Sequence, residues 1–190
     1  MESSDATVLA TTKHWLTRAV IGLNLCPFAK SVYVKDQVRY VISRSDSNHD
    51  ILQQLESELL YLAEADPDNI DTTLLILPEA LSDFLEYNDF LHRADRVLKR
   101  KRLTGLLQIA SFHPHYQFSD SEPDAIENFT NRAPYPMLHL LREASIEKAV
   151  DAFPDAAAIY ERNQETMRRL GQTGWNQWMA NTTAENSIDT

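Results

Sequence analysis

The sequence predicts an α/β (or α+β) domain, with a small three-stranded, mostly parallel sheet flanked by helices and a helical C-terminal third. Three observations lead there. Short β-branched or apolar runs alternate with longer segments of helical periodicity. Each connection between those runs has room for a full helix, which makes parallel pairing with right-handed crossovers the default. The length of 190 residues, 43% of them hydrophobic, suits one sizeable core. A ferredoxin-like antiparallel arrangement is the alternative.

Leu9, Trp15, Leu16, Ala19, Val20 and Leu23 recur at helical spacing, so Ala6 to Asn24 is read as the first helix. Val38 to Ser43 is rich in β-branched and aromatic residues and reads as a strand. Asn48 can cap a second helix that buries Leu52, Leu55, Leu59 and Leu62 and stops at Asp66-Pro67. Thr72 to Leu77 is a nearly continuous apolar run, as expected of a strand covered on both faces. Ser82 can cap a third helix lined by Phe84, Tyr87, Leu91, Ala94 and Leu98, which ends in a basic run before Gly105. Leu106 to Ser111 reads as the third strand.

Beyond it the chain looks helical. Pro134 and Pro136 can start a helix through about Ser145, and Asp155 can cap another reaching Leu170. Gly171 and Gly174 interrupt it before Trp175 and Trp178, which are expected to dock as apolar anchors. Residues 1–180 are therefore read as a single globular domain, and the polar stretch 181–190 as a disordered tail.

Composition excludes several classes. Acidic residues outnumber Lys plus Arg by 28 to 18, a formal charge of −10, which repels phosphate backbones and anionic membranes. A nucleic-acid or membrane partner is therefore not expected. The one basic run, Arg93, Arg96, Lys99, Arg100, Lys101 and Arg102, falls where cations complement a helix dipole, and a solvated helix end explains it. No apolar run is long enough to cross a bilayer, and the start of the chain lacks the pattern of a secretory signal. A lone cysteine, Cys26, requires no oxidising compartment. A cytoplasmic protein is the expectation.

In open parallel sheets ligands bind beyond the carboxyl ends of the strands, which would place Arg44, Glu79 and His113 along one rim. The segment from Phe112 to Glu143 carries the densest polar content. On the expected helix, His139, Arg142 and Glu143 share the side opposite Met137, Leu140 and Leu141. His113 and His139 are the acid–base candidates, with Glu143 to fix a histidine or arginine. Arg132 and Arg142 can clamp an anion through their planar forks, Asn131 and Asn128 can orient it, and Tyr116 and Tyr135 complete the binding set. Plainer readings stand beside these. The polar face can be merely solvated, and the short polar side chains can serve turns and caps.

His113-Pro114-His115 has a common metal-ligand spacing, but no further ligand lies at a diagnostic interval, so no metal site is assigned. Cys26, in Leu25-Cys26-Pro27-Phe28-Ala29, is a possible thiol centre that would need His113 or His139 as its base. A buried, inert thiol is the simpler account. Four glycines in the whole chain argue against nucleotide-binding loops, and no cofactor can be named. The expectation is a small-molecule enzyme, of hydrolase or transferase type, working by acid–base chemistry on a small anionic substrate. The alternatives are a non-catalytic protein-interaction module, using the exposed face of the expected 135–145 helix or the aromatic residues Tyr116, Phe118, Phe129 and Tyr135, and a metal-dependent or thiol-based enzyme. The oligomeric state is not readable.

Four stretches carry a family resemblance: Leu25-Cys26-Pro27-Phe28-Ala29, Tyr87-Asn88-Asp89-Phe90-Leu91, Ala110-Ser111-Phe112-His113-Pro114 and the long run from Thr130 to Glu143. Over nearly its full length the chain resembles a bacterial family known as domain of unknown function 1415. The resemblance implies no reaction. Its Phe-His-Pro-x-Tyr pattern matches His113 and leaves His115 at a variable position, which weighs against a two-histidine metal site. Where the family has serine before Pro134 this chain has Ala133, which weighs against a nucleophilic hydroxyl there.

Overall fold

A computed structural model describes residues 3–151 and 158–181. The chain opens with α1 (Asp5–Trp15), capped by Ser4 and continued by a π-helical stretch, Leu16–Ile21. A short helix α2 (Ala29–Val34) follows, which the sequence reading does not include because six residues are too few to establish a helical period. Then come β1 (Val38–Ile42), α3 (Asn48–Glu64), β2 (Thr72–Ile76), α4 (Phe84–Arg100) and β3 (Leu107–Phe112). These match the expected order. The caps of α3 and α4 are Ser47 and Asp83, each one residue from the positions read in the sequence.

The sheet differs from expectation in strand number and in pairing. It has four strands in the order β1-β2-β4-β3, and the extra one is β4 (Met137–Arg142), within the segment read as a helix. β1 runs parallel to β2, whereas β4 is antiparallel to both β2 and β3. The sheet is therefore mixed, with β1, β2 and β3 pointing one way. Met137, Leu140 and Leu141 mimic helical spacing, but so short an apolar run is ambiguous by periodicity alone. Slotted between β2 and β3, it bonds its backbone on both sides, and this tertiary gain overrides the helix propensity of its leucines. Pro134 and Pro136 already bias Ala133 and Tyr135 towards extended backbone.

Successive residues of β4 face opposite sides. Leu138 and Leu140 join Leu75, Leu77 and Leu107 under α3 and α4. Met137 joins Leu74 and Ile76 under α1, the π-helical stretch and the last helix. The segment from His113 to Pro136 crosses the rim of the sheet and includes a short 3-10 helix, Ile126–Thr130. After β4 come α5 (Glu143–Asp151) and α6 (Ile159–Ala180). Gly171 breaks α6 with φ 64° and ψ 174°, a conformation open to glycine, as the sequence anticipates. Trp175 is buried, and the Trp178 indole donates to the Arg18 carbonyl at 2.8 Å. The cap assigned to Asp155 and the tail from 182 onward lie outside the described residues.

Candidate functional site

The carboxyl ends of β1, β2 and β3 do share one edge, and Arg44, Glu79 and His113 stand along it. Arg44 spends its guanidinium on tying α1 to this rim. It pairs with Glu79 at 2.6 Å and with Asp5 at 2.6 Å, and donates to the Ser3 carbonyl.

His113 is fully buried between Phe84 and Tyr87 of α4. Its Nε2 lies 2.9 Å from the Leu81 carbonyl, which can only accept, so Nε2 carries the proton. Its Nδ1 accepts the backbone N–H of His115 at 2.9 Å. Burial pushes its pKa down. Both ring nitrogens are thus occupied, and the residue anchors Leu81, which holds a left-handed backbone at φ 56°. Such a conformation is unusual for leucine and needs support from its surroundings.

Around His113 the rim segment is stitched together by the other polar candidates. Asn128 is buried, accepts from the Phe118 N–H and the Ser121 hydroxyl, and donates to the Glu122 carbonyl. Asn131 donates to the Ser111 carbonyl. Arg132 donates to the carbonyls of Tyr116 and Pro123 and lies over the Phe129 ring. Tyr116 packs on Phe84 and Phe118, Phe129 packs on Trp175, and Tyr135 joins the core under α1. The aromatic side chains that could have formed an interaction surface are therefore packed largely against the protein's own elements.

His139, Arg142 and Glu143 share no helix face. Arg142 points to the α3–α4 side at the opposite edge of the sheet, donating to the carbonyls of Ala65 and Ile70. Glu143 begins α5 at that same edge, its N–H on the Leu106 carbonyl. His139 points to the other face, beside Phe112. The sheet itself separates the two candidate histidines.

His139 has the chemistry His113 lacks. Its Nε2 is 2.7 Å from the Thr72 hydroxyl, which gives its single proton to the Leu140 carbonyl at 2.7 Å. Nε2 must therefore be the donor to Thr72, leaving Nδ1 as a lone pair without a partner among the described residues. The residue is half-buried, and burial pushes its pKa down to about 4, so it is neutral at pH 7.

The strand register puts Tyr40, Leu74, His139 and Ala110 in one row across this face. Tyr40 and His139 are two strand spacings apart, about 10 Å between Cα atoms. The Tyr40 hydroxyl is buried and has no hydrogen-bond partner among the described residues, and burial raises its pKa. Lys13 of α1 lies over the Tyr40 ring, 5.1 Å from its centre, and the Thr12 hydroxyl next to it in sequence is likewise buried and unpartnered among the described residues. Sequence reasoning missed Tyr40 and Thr72, which only the strand register brings to the face that holds His139, and Lys13 and Thr12, which come from α1 packed on that side of the sheet.

Cys26 follows the π-helical stretch, half-buried, with its thiol pKa raised chiefly by burial and only partly offset by the N–H groups of Phe28 and Ala29. Among the described residues no three His, Cys, Asp or Glu side chains gather closely enough to hold a metal ion. No described helix is long and apolar enough to cross a membrane.

No curated protein and no solved structure matches the chain. A family model described as "Protein of unknown function (DUF1415)" matches residues 7–177, and the chain belongs to that family.

Proposed function

We propose that the protein is a small-molecule enzyme of hydrolase or transferase type, with His139 as the acid–base group acting on a small anionic substrate. The observation that carries this reading is the state of the His139 ring. One nitrogen is pinned by Thr72 and the other holds a lone pair with no partner among the described residues. A neutral, oriented imidazole is what a general base requires. Its low pKa makes it a weak base on its own, and an approaching anion would raise it. The Lys13 ammonium supplies positive charge on the same face, and the Tyr40 hydroxyl supplies a donor.

His113, Arg132, Asn128 and Asn131 position the rim, while Arg142 and Glu143 belong to the far edge. This narrows the reacting set to His139, with Thr72 as its positioning residue. The test is a thermal-shift screen of small carboxylates and phosphate esters against wild type and His139→Gln. Compounds that stabilise wild type should lose most of their effect in the variant. Equal stabilisation of both proteins by every hit would sink the reading.

A further inference from the structure

The outer surface of the α3–α4 layer, on the other side of the sheet from His139, carries a groove of about 280 Å³. From α4 it is lined by Arg93, Arg96 and Arg100, at spacings of three and four residues, which puts all three on one helix face. From α3 come His49, in the first turn of that helix, and Glu56 further along. The floor between them is apolar, made by Leu52 and Val97.

The charges within it do not cancel. Glu56 is the sole carboxylate of the lining and is already shared by Arg100 at 2.6 Å and Lys101 at 2.5 Å. Arg96 is exposed, and among the described residues neither it nor Arg93, which lies over the Phe90 ring, has an acidic partner. A chain of formal charge −10 thus gathers unneutralised arginines around one concavity. A solvated helix end explains a scatter of cations, but not three arginines lining one groove.

We propose that this groove binds the phosphate groups of a small polyphosphorylated molecule. Guanidinium forks match phosphate oxygens in paired hydrogen bonds. Arg93 to Arg100 extends about 10 Å along the helix axis, the reach of two linked phosphates rather than of one carboxylate. The first turn of α3 adds the positive end of its dipole near His49. The site is small for its class, which limits the occupant to a compact anion.

Titration calorimetry with inorganic pyrophosphate on the full chain tests this, with citrate as the carboxylate rival. Saturable pyrophosphate binding is expected, weakened at least about tenfold in Arg96→Gln through loss of one charge-assisted hydrogen bond. Glu56→Gln should act in the opposite direction and tighten binding, since it releases Arg100 and Lys101. His139→Gln should leave the affinity as it is, which keeps this test separate from that of the proposed reaction. Absence of saturable pyrophosphate binding, equal affinity in wild type and both groove variants, or tighter binding of citrate would each overturn the proposal. So would a single-stranded oligonucleotide that binds and is not displaced by pyrophosphate.

Discussion

The Thr72 hydroxyl stands 2.7 Å from Nε2 of His139 and gives its own proton to the Leu140 carbonyl. A threonine hydroxyl has one proton, so the direction of both bonds is settled by counting. The imidazole is held in one tautomer by a residue on the neighbouring strand, with Nδ1 left without a partner among the described residues. His113, in contrast, has both nitrogens committed to backbone groups.

The two histidines predict how stability depends on pH. Burial lowers both pKa values, that of His139 to about 4 from an ordinary 6.5. Between those limits the unfolded chain binds more protons than the folded one, so stability rises with pH through the window and falls as pH drops from about 6.5 to about 4. The full shift at His139 corresponds to a loss of roughly 3 kcal/mol. Urea denaturation at pH 7 and pH 4.5 should show the loss, and His139→Gln should reduce it. A variant with the wild-type pH slope would place the lost protons elsewhere.

Arg142 is predicted to be structural. Its guanidinium donates to the Ala65 carbonyl at 2.6 Å and to the Ile70 carbonyl at 3.1 Å, closing the turn between α3 and β2. Arg142→Ala should cost about 2–3 kcal/mol in urea denaturation, the range of charge-assisted bonds lost at a partly buried site. Lysine should rescue little, since a point charge cannot reproduce the fork. A substrate clamp would give the reverse: unchanged stability and lost ligand binding.

Cys26 is predicted to be slow. Its burial disfavours the thiolate, and the thiolate is the form that reacts. An aromatic disulfide reagent at pH 7 should modify it far more slowly than the same protein in urea. Equal rates would restore a thiol-based reading.

Much of this was legible in the sequence. The leucine period of α3 and the faces of α4 follow directly from side-chain spacing. The common direction of β1, β2 and β3 follows from crossovers long enough for helices. The missing strand was not legible, because Met-Leu-His-Leu-Leu-Arg satisfies a helical pattern and a strand pattern about equally. Only the unpaired edges of β2 and β3 decide between them. Helical spacing groups His139 with Arg142 and Glu143, whereas Thr72 and Tyr40 become its neighbours only through register, which local spacing does not encode.

The most direct measurement is nitrogen-detected NMR of the histidine rings, followed against pH. His139 should show a protonated Nε2 and a bare Nδ1 at pH 7, and should hold that state until pH approaches about 4. Its Nδ1 signal should then move when a stabilising anion from the screen is added. A His139 that titrates near 6.5, or that carries its proton on Nδ1, would contradict the account.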